Sequence, residues 1–265
     1  MTISKTERMI ALKEGAIGWI TFNNPARHNA VSLEMWQGLY DIVSDYERDD
    51  AIRVIVVQGA GGKAFVSGAD ISEFDEKRSS PETTAAYHEV SHRASQALKQ
   101  VGKPTIALIR GWCVGGGVST ALSCDIRLAS EGAKFSVPAA KLGLGYELEG
   151  VRKLMDVVGP SFAKEIFFTA RQFSAQEALA MGLVNRVLPD DQLDVSVRDY
   201  ADRIAANAPM TVASIKTIVG EALKNESQRD EALCQQVVDQ CFASADYIEG
   251  RSAFMEKRKP RFIGR

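Results

Sequence analysis

The sequence predicts an α/β fold, and three observations carry that reading. Short apolar runs, RVIVVQ at 53–58 and TIALI at 105–109 among them, alternate with stretches of helical periodicity. Past Asp190 only helical periodicity remains, broken near Pro209, Asn225 and Ser244. Glycine-rich turns follow two of the apolar runs, at 59–62 and at Gly115, Gly116 and Gly117. Strands alternating with helices, then helices alone, describe an α/β core with a helical C-terminal region. The expected division is a core over 1–195 and a helical region over 196–265.

Each element has its own signal. Residues 8–22 alternate apolar and polar around Glu14 and Gly15, which reads as a hairpin. NNPARHNA at 23–30 is a polar, proline-containing loop. Leu33, Trp36, Leu39, Tyr40 and Val43 share one helical face, and Ser32 stands at the N-cap position. KAFVSGADISEF at 63–74 is a second strand followed by a loop. A helix is expected over 83–100, with Ala86, Val90, Ala94, Ala97 and Val101 on its apolar side. Residues 103–130 read as strand, glycine turn, small-residue helix and strand. A short strand at 133–137 ends at Pro138, and a helix begins near Glu149 after the glycine-broken KLGLGYELEG. Pro160 suits the first turn of a helix running to Thr169. Ser174 and Glu177 form a capping box, and 183–188 is the last strand.

Composition narrows the function classes. The chain has 265 residues, 45% hydrophobic and 25% charged, which is ordinary for a globular protein. A net charge of −2 gives no global field for nucleic acid or an anionic membrane. The four cysteines include no C-x-x-C and read as reduced packing residues. No stretch has the length of a membrane span, and the N-terminus lacks a signal-peptide core, so a cytoplasmic protein is expected.

Several motifs compete for the site. His88-Glu89-x-x-His92 matches a zinc-helix pattern, but both histidines lie off the apolar stripe and no third ligand is evident; a solvated helix face is the better reading, with no metal. Gly115-x-Gly117 is only a fragment of a dinucleotide fingerprint, and no P-loop is present. The basic tail EKRKPRFIGR at 256–265 is either a solvated charge run or a phosphate contact. FVSGADI at 65–71 and the triple glycine are stronger together. Both follow strands, and strand C-termini of α/β sheets build sites. Each can offer one backbone N–H to the same oxygen. The other reading of the triple glycine is tight backbone packing.

On these residues the chain resembles the crotonase (enoyl-CoA hydratase/isomerase) family over nearly its whole length. Asn24-Pro25-x-Arg27-x-Asn29-Ala30, Phe65-x-x-Gly68-Ala69-Asp70-Ile71, 111–125 with its glycines, Phe168-Thr169-Ala170 and Gly182-Leu183-Val184-Asn185 carry the likeness. The resemblance implies a spiral of ββα units with a C-terminal all-helical trimerisation region. It also implies an acyl-CoA substrate, no cofactor beyond the substrate's CoA, and a homotrimer or homohexamer. Ala69 and Gly116 would be the oxyanion N–H donors. Ala26, Arg27, His28, Lys63 and Ala64 would lie near the nucleotide end of CoA, with Gly68, Asp70 and Ile71 in the binding loop and Lys257 and Lys259 as further phosphate contacts.

The chain departs from the family where hydratases carry two glutamates, which here are Ser119 and Ala139. A serine hydroxyl orients water but is a poor base near neutral pH, and alanine has no proton to move. Tyr146, Glu147 and Glu149 follow in the next loop. Glu147 stands where dienoyl-CoA isomerases and an aryl-CoA dehalogenase of the family place a catalytic aspartate; a carboxylate sheltered there can move a proton or attack covalently, and the other reading is a carboxylate at a helix N-terminus, favoured by the dipole. LGLGY at 142–146 and the ends at 246–250 and 254–260 resemble methylmalonyl-CoA decarboxylases. Proton transfer or lyase-type chemistry is therefore expected over hydration. Decarboxylation is the alternative, and a non-catalytic CoA-thioester-binding protein is the alternative of another class.

Overall fold

The computed structural model describes residues 6–70 and 81–265. The expected hairpin is β1 (Met9–Glu14) and β2 (Ile17–Phe22), antiparallel in full register. Gly15 turns it at φ 59°, a conformation that suits glycine.

From there the chain winds as a spiral in which each turn gives one strand to each of two sheets. β3 (Val54–Gly59) is followed by β4 (Ala64–Val66), β5 (Thr105–Ile109) by β6 (Trp112–Val114), and β7 (Ile126–Ser130) by β8 (Lys134–Ser136). The first sheet has the order β1-β2-β3-β5-β7-β10, and the second β4-β6-β8-β9, with β9 at Phe173–Ser174 and β10 at Arg186–Leu188. Every pairing is parallel except β1 with β2 and β8 with β9. β6 was not expected; its three residues lie within what reads in sequence as a glycine turn. Gly111 makes the second sheet possible, since a Cβ there would lie 2.0 Å from Lys63 O.

The helices close the turns: α1 (Leu33–Arg48), α2 (Pro81–Gln100), α3 (Gly116–Leu122), α4 (Leu148–Thr169), α5 (Ala175–Ala180) and α6 (Leu193–Ala205). Ser32 caps α1 by accepting from Met35 N–H, and Ser174 and Glu177 complete their capping box on α5. α4 is kinked where Gly159 takes φ 75° and Pro160 restarts the helix. On α2 the buried side chains are Tyr87, Ala94 and Leu98, while Ala86, expected inside, is exposed. The last expected strand is shorter than 183–188, because Leu183 and Val184 are buried core residues that lead into β10.

Both faces of the first sheet are covered, which is why its strands read as continuous apolar runs. Ile55, Val57, Ala107 and Ile109 face the main core with α1 and α2. Val54, Val56, Ile106 and Leu108 face Leu193, Val197 and Ala201 of α6. The expected boundary between 195 and 196 therefore falls inside a helix that belongs to the core. The helices that leave the sheet are α7 (Pro209–Ala222), α8 (Glu231–Ala243) and α9 (Ala245–Met255). They carry exposed Ile215, Val219, Phe242, Ile248, Phe254 and Met255, and Leu223 is exposed just past the end of α7. The last residues return to the start of α9, where Asp246 accepts from Ile263 and Gly264 N–H at 2.7 and 2.8 Å.

Candidate active site

The site starts from a short strand bridge. Val31 N–H donates to Gly68 O at 2.8 Å, and Val31 O accepts from Asp70 N–H at 3.0 Å. The residue across this parallel bridge is Ala69. Val31 bonds the two residues flanking Ala69, so the N–H of Ala69 turns to the opposite side. On that side lies the triple glycine. A Cβ on Gly68 would sit 3.4 Å from Val114 O and 4.0 Å from Gly116 N, and a Cβ on Gly116 would sit 3.8 Å from Ala69 N. The two loops thus touch, and they do so where Gly116 opens α3 with an N–H that has no acceptor within the helix.

The three glycines divide the two readings between them. Gly115 takes φ 53° and makes the turn, with its N–H bonded to Ser136 O at 2.8 Å. Gly117 is a packing glycine, since a Cβ there would lie 2.0 Å from Val66 O. A Cβ on Gly116 would meet nothing closer than 3.7 Å.

The 23–30 loop lies over the same bridge. His28 and Asn29 both take left-handed φ, 50° and 56°. Asn29 is fully buried and clips the loop down: its amide donates to Ala60 O at 3.0 Å and Ala64 O at 2.7 Å, and its carbonyl accepts from Asn24 N–H at 2.9 Å. Asparagine tolerates left-handed backbone better than most residues, a signal visible in the sequence but not usable without the three partners. Ala26, Arg27, His28 and Lys63 are exposed along this edge. Ala64, expected beside them, has its side chain in the core and its carbonyl taken by Asn29. Asp70 is 5% exposed and accepts from Arg27 Nη1 at 2.9 Å, so it orients that guanidinium rather than facing solvent. Ile71 and the loop residues 74–80 lie outside the described residues.

At the other end, Ser119 is half-buried on α3, and Ala139 is buried in the 3-10 turn Pro138–Leu142. Tyr146 packs edge-on to Phe167 with ring centres 4.8 Å apart, and these surroundings push its phenol above the ordinary value. Glu147 is not sheltered by the described residues: its side chain is 79% exposed. It faces His88 Nδ1 at 3.7 Å instead, and two residues on, Glu149 meets Nε2 of His92, one helical turn after His88, at 2.7 Å and also accepts from Gln96. Both histidines are exposed, as expected of a solvated helix face, and these carboxylates are their partners on it. No group of three metal-ligating side chains occurs among the described residues. Lys153, on the next turn of α4, donates to Ser123 Oγ, and its burial lowers the ammonium pKa to about 8.

In the tail, Lys257 and Lys259 are exposed, Lys257 at φ 54°. Arg258 between them is committed to Glu249 and Glu256. All four cysteines are free, and burial raises the Cys124 thiol to about 12, as a packing residue requires.

The sequence model for Enoyl-CoA hydratase/isomerase matches residues 13–265. The chain belongs to the enoyl-CoA hydratase/isomerase family. Within this crotonase family it is 33% identical over 251 residues to a short-chain-enoyl-CoA hydratase of Clostridium acetobutylicum, covering 95% of each chain. It is 32% identical over 251 residues to a methylmalonyl-CoA decarboxylase of Escherichia coli, covering 92% of this chain and 94% of that one. A crystal structure of an enoyl-CoA hydratase/carnithine racemase from Magnetospirillum magneticum superposes with a TM-score of 0.93 at 38% identity, over 99% and 98% of the two chains. No helix among the described residues is long and apolar enough to cross a membrane.

Proposed function

We propose that this chain is an acyl-CoA enzyme that stabilises a thioester enolate between the N–H groups of Ala69 and Gly116. The observation that carries this is the contact between the Gly68–Ala69 turn and the first residue of α3, with Ala69 N–H turned away from Val31. A thioester oxygen gains negative charge when its α-carbon loses a proton or a carboxylate. Two fixed donors aimed at that oxygen contribute about 3 kcal/mol each to lowering the barrier. Arg27, oriented by Asp70, and exposed Lys63 supply cations for the nucleotide end of CoA, with Lys257 and Lys259 as further phosphate contacts.

Ser119 and Ala139 stand where hydration would need carboxylates, so the favoured chemistry is proton transfer or lyase-type cleavage on an acyl- or enoyl-CoA. Decarboxylation is the second reading. It is favoured by the similarity to the decarboxylase and by Tyr146, whose hydroxyl can orient a substrate carboxylate. The exposed apolar side chains of α7, α8 and α9 support a homotrimer or homohexamer.

The test is a mass-spectrometric time course with crotonyl-CoA, 3-butenoyl-CoA and methylmalonyl-CoA. Isomer interconversion or loss of carbon dioxide supports the reading. Gain of one water at a useful rate overturns the exclusion of hydration. Binding without turnover of any thioester selects the non-catalytic alternative.

A further inference from the structure

The basic C-terminal segment folds back on the molecule. Past α9 the backbone reverses: Lys257 takes φ 54°, and the N–H groups of Lys257 and Arg258 donate to Phe254 O and Ala253 O at 3.2 and 3.0 Å. The chain then runs along α9 toward its first turn. Arg258 forks onto both oxygens of Glu249 at 2.6 and 2.9 Å, and Arg261 N–H donates to the same carboxylate at 2.7 Å. The Phe262 ring lies beside Gly250, where a Cβ would come within 3.5 Å of it. Ile263 and Gly264 N–H donate to Asp246, which is 2% exposed, and Asp246 N–H donates to Arg265 O at 3.3 Å. Residues 246, 249, 250 and 253 recur at three- and four-residue spacing, so one face of α9 is taken up by the chain's own tail. Exposed Ile248 and Met255 fall on the opposite face.

The same segment reaches the core. Arg53, just before β3, donates from Nη2 to Phe262 O at 2.6 Å and from Nη1 to Ala205 O, at the end of α6, at 3.0 Å. Gly264 packs on the start of α7, where its Cβ would lie 3.6 Å from the Pro209 ring. α7 has further ties of its own: Lys216 donates to Lys103 O and Asp125, and Arg152 donates to Leu223 O just past its end. α9 has none of this kind. Among the described residues, no hydrogen bond or ion pair runs from it directly to the sheets or to α1 through α6.

We propose that residues 256–265 are a strap that docks α9 onto the core, gripped by Asp246 and Glu249 on the helix and by Arg53 on the core. Chain ends stay loose unless they are tied down, and this one is tied along its length. The ties are of the strong kind, a carboxylate accepting backbone N–H groups and a forked guanidinium–carboxylate pair. The tail is therefore neither a solvated charge run nor only a source of phosphate contacts. It sets where α9 lies, and with it where Ile248 and Met255 are presented. The proposal does not depend on the acyl-CoA reading, and its test needs no substrate.

The experiment is amide hydrogen exchange read by mass spectrometry on the full chain and its variants. In a chain ending at Lys257, exchange across α9 should speed up by about tenfold or more, while peptides from α1, β3 and β5 stay within about twofold of wild type. Asp246→Asn keeps the side-chain shape but loses one of the two N–H acceptors, and should speed α9 by about fivefold. Arg53→Met releases the strap from the core but not from α9, so its effect on α9 should be smaller than that of the truncation. Exchange across α9 within about twofold of wild type in the truncated chain overturns the proposal. If the truncated chain loses protection everywhere, Asp246→Asn decides. Faster exchange confined to α9 and 258–265 supports the strap, and exchange that is unchanged, or raised throughout the core, overturns it.

Discussion

Substituting alanine at two adjacent glycines, Gly116 and Gly117, should give opposite results. A methyl group at 117 lands 2.0 Å from Val66 O, 2.9 Å from Val66 C and 3.2 Å from Val66 Cβ. A carbon–oxygen contact needs about 3.3 Å, so roughly 1.3 Å must open between β4 and the first turn of α3. Both sides are backbone, and Val66 is fully buried and paired with Cys113 across the second sheet, so no flexible side chain can move aside. Overpacking of this kind costs about 3 kcal/mol. At roughly 3 °C per kcal/mol for a chain of this size, Gly117→Ala should melt about 9 °C below wild type. Gly116 has no positive φ, and a Cβ there meets nothing closer than 3.7 Å. Gly116→Ala should therefore match or exceed wild-type stability, by about 0.5 kcal/mol through the less flexible unfolded chain. Under the proposed enolate-binding role its activity should fall, because the methyl sits 3.8 Å from Ala69 N. Differential scanning calorimetry reads both variants. A Gly117→Ala protein melting within about 2 °C of wild type would refute the close-packing argument.

Three further outcomes are expected. Asn29→Ala removes a buried side chain with three hydrogen bonds and leaves the Ala60 and Ala64 carbonyls without it, so urea denaturation should show a loss of about 3 kcal/mol; a loss under 1 kcal/mol would mean the loop does not depend on the clip. The Ser174 N–H, the Arg171 guanidinium and the Ser174 hydroxyl hold the Glu177 carboxyl down at about 2. Its unfolded value is about 4.3, so its stabilisation is present above that pH and is lost as pH falls toward 2; Glu177→Gln should flatten the melting curve's pH dependence in that window. Burial holds Lys153 at about 8, below its unfolded value near 10.4. Between those values the unfolded chain binds more protons, so stability should rise as pH climbs from 8 toward 10, and Lys153→Met should abolish that rise.

Much of the chain was legible because its signals are local. The hairpin at Gly15, the cap at Ser32, the capping box at Ser174, the restart at Pro160 and the breaks at Pro209 and Ser244 all depend on residues within a few positions of one another. β6 was not legible, since a three-residue strand between glycines has no periodicity to read and exists only because β4 and β8 flank it. The boundary at 195 missed because an amphipathic helix looks the same in sequence whether its apolar stripe meets the sheet, as in α6, or lies exposed, as on α7 to α9.

The sequence alone determined the α/β class and the family, because glycines in special backbone positions and apolar runs record their structural demands in residue type. It also fixes that positions 119 and 139 carry no carboxylate, wherever they fold. Only the tertiary structure decided the partners. Asn29 is a clip because Ala60 and Ala64 come to it, and Asp70 serves Arg27 rather than solvent. Glu147 and Glu149 meet His88 and His92, more than fifty residues away in the chain. Side-chain charge and hydrogen-bonding capacity are written in the sequence, but a pair forms only where the sheets bring two distant segments within reach.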